Sequence, residues 1–373
     1  MEMAAIGFGE AQIEILDQAT NFCRERSPID KVRELMDSDT GFDTALWSEM
    51  AELGWMGIAI PEAHGGIGLS LADVVPVAEQ MGRNMLASPF VATTLAAQAL
   101  LAGGTEAQQS EWLPKLASGT IATLALQEEH GDWDLTHVEA KAVRNGDSIT
   151  LSGKKLVVQW VEAAELIIAT VSLDGAPALA LITKADLPEG ALRREAIIDE
   201  TKRSAALTLD GISIPESQLL GPAKAGSALA HVELASGLLQ AAEMCGGTQS
   251  VIDYTVDYLK TRTQFGKVIG SYQALKHPAV DAYVDYEKAR SHLYSAAHSF
   301  GDQGAGEVAV RMAKASADKT YSFAADRAIQ FHGGFGFTHD CDAGLHRRAA
   351  IFHASQMGDA AWQRAKLADL LFA

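Results

Sequence analysis

Through the first third of the chain, apolar residues recur at helical spacing. Over residues 11–24, Ile13, Leu16 and Ala19 fall on one face while the charges lie elsewhere, which predicts an amphipathic helix. A second helix is expected over residues 43–53, with Gly54 as its stop. The segment Pro61-Glu-Ala-His-Gly-Gly-Ile-Gly68 reads as a loop, and residues 71–82 and 93–101 read as further helices. Thr105-Glu-Ala-Gln108 has the spacing of a capping box, which starts a helix running to about Ala117, and Gly119 ends it.

The period then shortens. From Ile121 to about Ile214, short β-rich runs (148–151, 155–161, 165–171 and 179–183) alternate with the turn pairs Asn145-Gly146, Ser152-Gly153, Asp174-Gly175 and Asp210-Gly211. Such spacing predicts a compact β-barrel or sandwich. Beyond Pro222 the helical period returns over 226–260, 272–300, 307–331 and 356–371. The expected fold class is α+β, in three domains: an N-terminal helical domain (1–119), a middle β domain (120–222) and a C-terminal four-helix bundle (223–373).

Composition narrows the function. With 30 Lys+Arg against 48 Asp+Glu, the net charge is −18, which argues against nucleic-acid or anionic-membrane partners. Hydrophobic residues make up 48% of the chain, enough for a packed core rather than disorder. Cys23, Cys245 and Cys341 are far apart and lack zinc or disulfide spacing, so they are expected as buried small hydrophobes. Residues 85–104 carry no charge but include Ser88, Pro89, Thr93, Thr94 and Gln98, and read as part of a helical core rather than a membrane span. No signal peptide is read at the start of the sequence, so a cytoplasmic address is expected.

Two motifs carry candidate chemistry. Arg262-Thr-Gln-Phe-Gly266, followed by Gln273, lies where the long helix ends. There Arg262 suits a bidentate diphosphate contact and Phe265 suits a planar ring; the plainer reading is a helix cap closed by Gly266. Gln330-Phe-His-Gly-Gly-Phe-Gly-Phe-Thr338 offers glycine N–H groups to an anion, or simply ends a helix. No strand precedes it, so it is not a Rossmann fingerprint. Together with the 61–68 loop, these motifs resemble the acyl-CoA dehydrogenase family over nearly the whole chain. The resemblance implies FAD as cofactor, an acyl-CoA substrate, electron-transfer flavoprotein as acceptor, and an oligomer. By match to the motifs, Arg262 contacts the diphosphate, Phe265 and Gln273 lie by the adenosine end, and Gln330, Gly333 and Gly334 meet the flavin from a neighbouring subunit.

The sequence also departs from that family. Removing the α-proton of an acyl thioester needs a carboxylate base. The usual base position reads Gln356, and the alternative position on the long helix reads Ser236. Glu233, Ser236, Gln240, Glu243 and Gly247 share one helix face, which leaves Glu243 as the candidate base, with a structural ion pair across a subunit interface as the alternative. Near the flavin ring, Gln127 and Gln159 stand where hydroxyl donors are usual, and their amides are candidate substitutes. This erosion resembles partner subunits of heteromeric acyl-CoA dehydrogenases. Two functions stay open: a dehydrogenase subunit using Glu243, or a non-catalytic partner in a heterotetramer. A flavin protein of this fold with another reaction is a third. Small residues at Ala235, Ser236 and Gly237 leave room for a bulky acyl group. No metal is expected; His339, Asp340, Cys341, Asp342 and His346 fit no zinc spacing and read as an exposed polar loop.

Overall fold

A computed structural model describes residues 7–372. Six helices come first: α1 (Glu10–Arg26), α2 (Ile29–Met36), α3 (Thr44–Glu52), α4 (Leu71–Arg83), α5 (Phe90–Gly103) and α6 (Glu106–Ala117). The capping box is formed as read: Thr105 accepts the Gln108 N–H at 3.2 Å, and Gln108 accepts the Thr105 N–H at 2.9 Å. Helix α5 begins only at Phe90, because Ser88 and Pro89 interrupt the uncharged stretch, and most of it is buried.

The strands are β1 (Ala122–Ala125), β2 (Lys141–Asn145), β3 (Ser148–Ser152), β4 (Lys154–Gln159), β5 (Leu166–Leu173), β6 (Ala176–Thr183), β7 (Leu192–Glu195), β8 (Ser204–Thr208), β9 (Ser213–Pro215) and β10 (Leu219–Leu220). A seven-stranded sheet runs β10-β6-β5-β2-β3-β9 with β1 beside β5, and a three-stranded sheet runs β4-β8-β7. Asn145-Gly146 and Asp174-Gly175 are true hairpin turns. Ser152-Gly153 and Asp210-Gly211 instead pass the chain from one sheet to the other, since β3 pairs with β2 while β4 pairs with β8. Strand β5 is buried on both faces, so it reads as a continuous apolar run. Ile167, Ala169 and Val171 face the core between the sheets. Leu166 and Ile168 face a second core, packed with Leu100 of α5 and Leu113 of α6.

The remaining helices are α7 (Pro222–Thr261), α8 (Gln273–Ser299), α9 (Ala305–His332), α10 (Asp342–Ser355) and α11 (Ala360–Phe372). They form a bundle whose core is continuous with that of the N-terminal helices: Leu239, Leu293 and Tyr321 share one cluster with Leu16, Met50 and Val75. Helices α4 and α7 cross closely because the contact is made of glycine. A Cβ on Gly82 would sit 2.1 Å from the Glu243 carbonyl oxygen, and one on Gly246 would sit 1.8 Å from that of Glu79.

Two helices differ from expectation. Helix α2 is short, and its single buried side chain, Val32, leaves little periodic signal. Helix α10 occupies most of what reads as a polar loop. His339 and Asp340 are exposed, but Cys341 and His346 are buried, because the Cys341 thiol lies 3.6 Å from the Tyr254 hydroxyl and His346 Nδ1 lies 2.9 Å from that of Tyr321. All three cysteines are free and buried. No described helix is long and apolar enough to cross a membrane.

Candidate functional site

Where the two cores and the sheets meet, a cavity of about 50 Å³ opens. Helix α5 contributes Val91 and Leu95; Gln127 follows β1; Val157 and Gln159 lie on β4; Ser236 and Gln240 lie on α7; Gln356 and Met357 lie on the link between α10 and α11. Two walls are backbone-strained. Val157 and Met357 each have φ of 52°, a left-handed conformation that L residues rarely adopt, least of all a β-branched one. At Val157 the cause is a bulge in the pairing of β4 with β8, and the freed Val157 N–H donates to Glu195 Oε2 at 2.9 Å. The Gln127 amide nitrogen lies 3.5 Å from Gln356 Oε1, and the Gln356 amide donates to Ser355 Oγ at 3.2 Å. Gln127, Gln159, Ser236 and Gln356 therefore converge on one space. Among the described residues lining it, none is a carboxylate.

Glu243 is elsewhere. Less than one turn beyond Gln240 on α7, it lines a separate pocket of about 20 Å³ with Met81, Asp199, Lys202, Tyr321 and His353. Its Oε1 is 2.8 Å from Lys202 Nζ, and both side chains are largely shielded from solvent. Burial works against the Lys202 charge, but Glu243 and Asp199 outweigh it and hold the ammonium above its ordinary pKa. Burial, reinforced by Lys202, pushes His353 well below the ordinary histidine value. The pockets are linked at one point, where His353 Nδ1 shares a hydrogen bond with Gln240 Oε1.

The two motifs meet at the far end of α7. Phe331 packs with Leu259 and Ile269, and His332 is stacked between Tyr254 and Tyr258 at centroid distances of 4.8 and 4.2 Å. The i,i+4 spacing of those tyrosines was the sequence signal for this sandwich, and motif reading passed over it. Arg262 is the C-cap of α7, and Phe265, held at φ 53° by a tight turn, is 92% exposed. Gln273, Gln330, Gly333 and Gly334 are exposed too. A Cβ placed on Gly333 or Gly334 would meet nothing within 4 Å, so their backbone faces open space. A cation, a bare ring and exposed glycine backbone on one rim fit the diphosphate and adenosine half of FAD. They stand far from the cavity: at about 1.5 Å per residue, the helix from Gln240 to Arg262 spans about 33 Å.

The sequence model of the acyl-CoA dehydrogenase N-terminal domain matches residues 9–120, and that of the C-terminal domain matches residues 229–371. Acyl-CoA dehydrogenase IpdE2 of Mycobacterium tuberculosis is 32% identical over 86% of this chain and 84% of its own length. Among solved structures, a Tcur3481-Tcur3483 steroid ACAD variant is similar with a TM-score of 0.87 and 30% identity, over 97% of this chain and 98% of that one. The ChsE4-ChsE5 complex from Mycobacterium tuberculosis gives 0.89 and 25%, over 100% and 99%.

Proposed function

Because the chain belongs to the acyl-CoA dehydrogenase family, we propose that it serves as the base-lacking subunit of a heteromeric acyl-CoA dehydrogenase, completing the FAD site of a sister chain. The observation that carries this reading is the cavity walled by Gln127, Gln159, Ser236 and Gln356, with no carboxylate among its described lining residues. An amide has no basic lone pair with which to take an α-proton. Glu243, the remaining candidate, is committed to Lys202.

In this reading Arg262 clamps the diphosphate, Phe265 and Gln273 cover the adenosine, and Gln330, Gly333 and Gly334 supply the remaining contacts. FAD held there would supply a hydride acceptor for the dehydrogenation of the acyl chain. About 33 Å of helix between cavity and rim supports a rim that serves a neighbour's cofactor rather than its own. An electron-transfer flavoprotein is the acceptor this reading implies. Likeness to a steroid ACAD supports a ring-bearing acyl-CoA as the substrate of the assembled enzyme.

The chain purified alone is expected to turn over no acyl-CoA, and to gain activity and bound flavin when co-expressed with an acyl-CoA dehydrogenase sister chain from the same source. Full activity of the single chain would overturn the proposal. A second reading keeps Glu243 as the base, favoured by the His353–Gln240 contact that joins the two pockets. Glu243→Gln separates the readings: the assembled complex keeps its turnover under the first and loses it under the second.

A further inference from the structure

The loop between β1 and β2 contains a side-chain cluster that none of the chemistry above uses. His130, Asp132 and His137 each offer one ligand atom, and the three atoms lie within 4.8 Å of one another. The two imidazoles face each other at a centroid distance of 4.3 Å and 16° between planes. His137 Nδ1 is 3.0 Å from Asp132 Oδ2, and His130 Nδ1 accepts the Asp132 backbone N–H at 3.0 Å. We propose that His130, Asp132 and His137 bind one divalent transition-metal ion of the zinc class, with water completing its coordination.

Imidazole nitrogen with a single carboxylate is a donor set that suits zinc, cobalt or nickel better than calcium or magnesium. Bonds of about 2.0–2.2 Å require ligand atoms about 3.3 Å apart, so the three atoms draw in by about 1 Å. An exposed loop permits that movement: His137 and Asp132 have side-chain exposures of 52% and 44%.

The surroundings supply what a metal-bound histidine needs. His130 Nε2 lies 3.3 Å from Glu128 Oε2, a carboxylate placed to receive that ring N–H, and Nδ1 reaches the ion by releasing the Asp132 N–H that it accepts. Glu128 is itself fixed by Lys155 and by the N–H groups of Glu139 and Ala140. Between the ligands stands Trp133, whose indole N–H donates to the Ser355 carbonyl at 2.9 Å, one residue before Gln356. A bound ion cross-links both ends of the segment that leads out of Gln127, and so steadies a wall of the cavity.

The test is calorimetric titration of the untagged full-length chain with Zn²⁺, and with Co²⁺ followed by visible absorption. One saturable site per chain is expected, weakened at least ~10-fold in both Asp132→Asn and His137→Ala. His277→Ala, an exposed histidine on α8, is the control and keeps wild-type affinity. Both test positions are on the surface, so far-ultraviolet circular dichroism matching the wild type is expected. Absence of saturable binding to the wild-type chain, or wild-type affinity in either variant, would overturn the proposal.

Discussion

His346 is held neutral: complete burial against Tyr321 lowers its pKa from 6.5 to about 4. Above pH 6.5 the folded and unfolded chains bind the same number of protons at this site. Below it the unfolded chain takes a proton that the folded chain refuses, so stability falls as pH drops towards 4, by about 3 kcal/mol at most. His353 adds to the same slope. Urea unfolding between pH 7 and 4.5 is expected to show this loss, with a shallower slope in His346→Gln. Lys155 makes the opposite kind of commitment, buried against Glu128 and Thr170. Removing one partner of such a pair leaves the other charge uncompensated, so Lys155→Met should cost about 3–5 kcal/mol in the same assay. At this scale the sequence was partly legible. Gln356 and Ser236 were found by counting from motifs, and both do line the cavity. The alternative for Glu243 placed its cation across a subunit interface, but the partner is Lys202 of the same chain, on a β-domain loop that no local period connects to α7.

The contact between α4 and α7 depends on two hydrogen atoms. Replacing Gly246 by Ala sets a methyl 1.8 Å from the Glu79 carbonyl oxygen, backbone that cannot swing aside. The helices must separate, and their separation disturbs Glu79, whose carboxylate is buried with Arg290 and Tyr294. Gly246→Ala is therefore expected to destabilise the chain by about 3 kcal/mol or more, and Gly226→Ala, whose Cβ meets nothing within 4 Å, to leave stability nearly unchanged. Chemical denaturation of the two variants side by side checks this. Long elements with a regular apolar stripe, such as α7 and α9, were readable in advance. Helix α10 was not, because its charged and histidine-rich first turns look like solvent-facing loop, and its buried residues meet partners far away in sequence. The same holds for β7 and β8, which sort into a separate sheet by tertiary pairing rather than by pattern.

In the whole molecule, the order of helices, sheets and helices followed from the change of period at Ile121 and Pro222. The packing of the outer helical sets into one core did not, since it depends on which apolar faces find each other. If the rim serves a neighbour, Arg262→Ala should lower the flavin content and turnover of the assembled complex at least ~10-fold while the chain alone unfolds at its usual temperature. Flavin absorbance per complex and a melting curve measure the two effects independently.

Helix α7 thus behaves as a rigid beam loaded differently at its middle and at its C-terminal end. A substitution near Gln240 alters this protomer's own interior, whereas under the proposed function one at Arg262 would be felt across a subunit boundary.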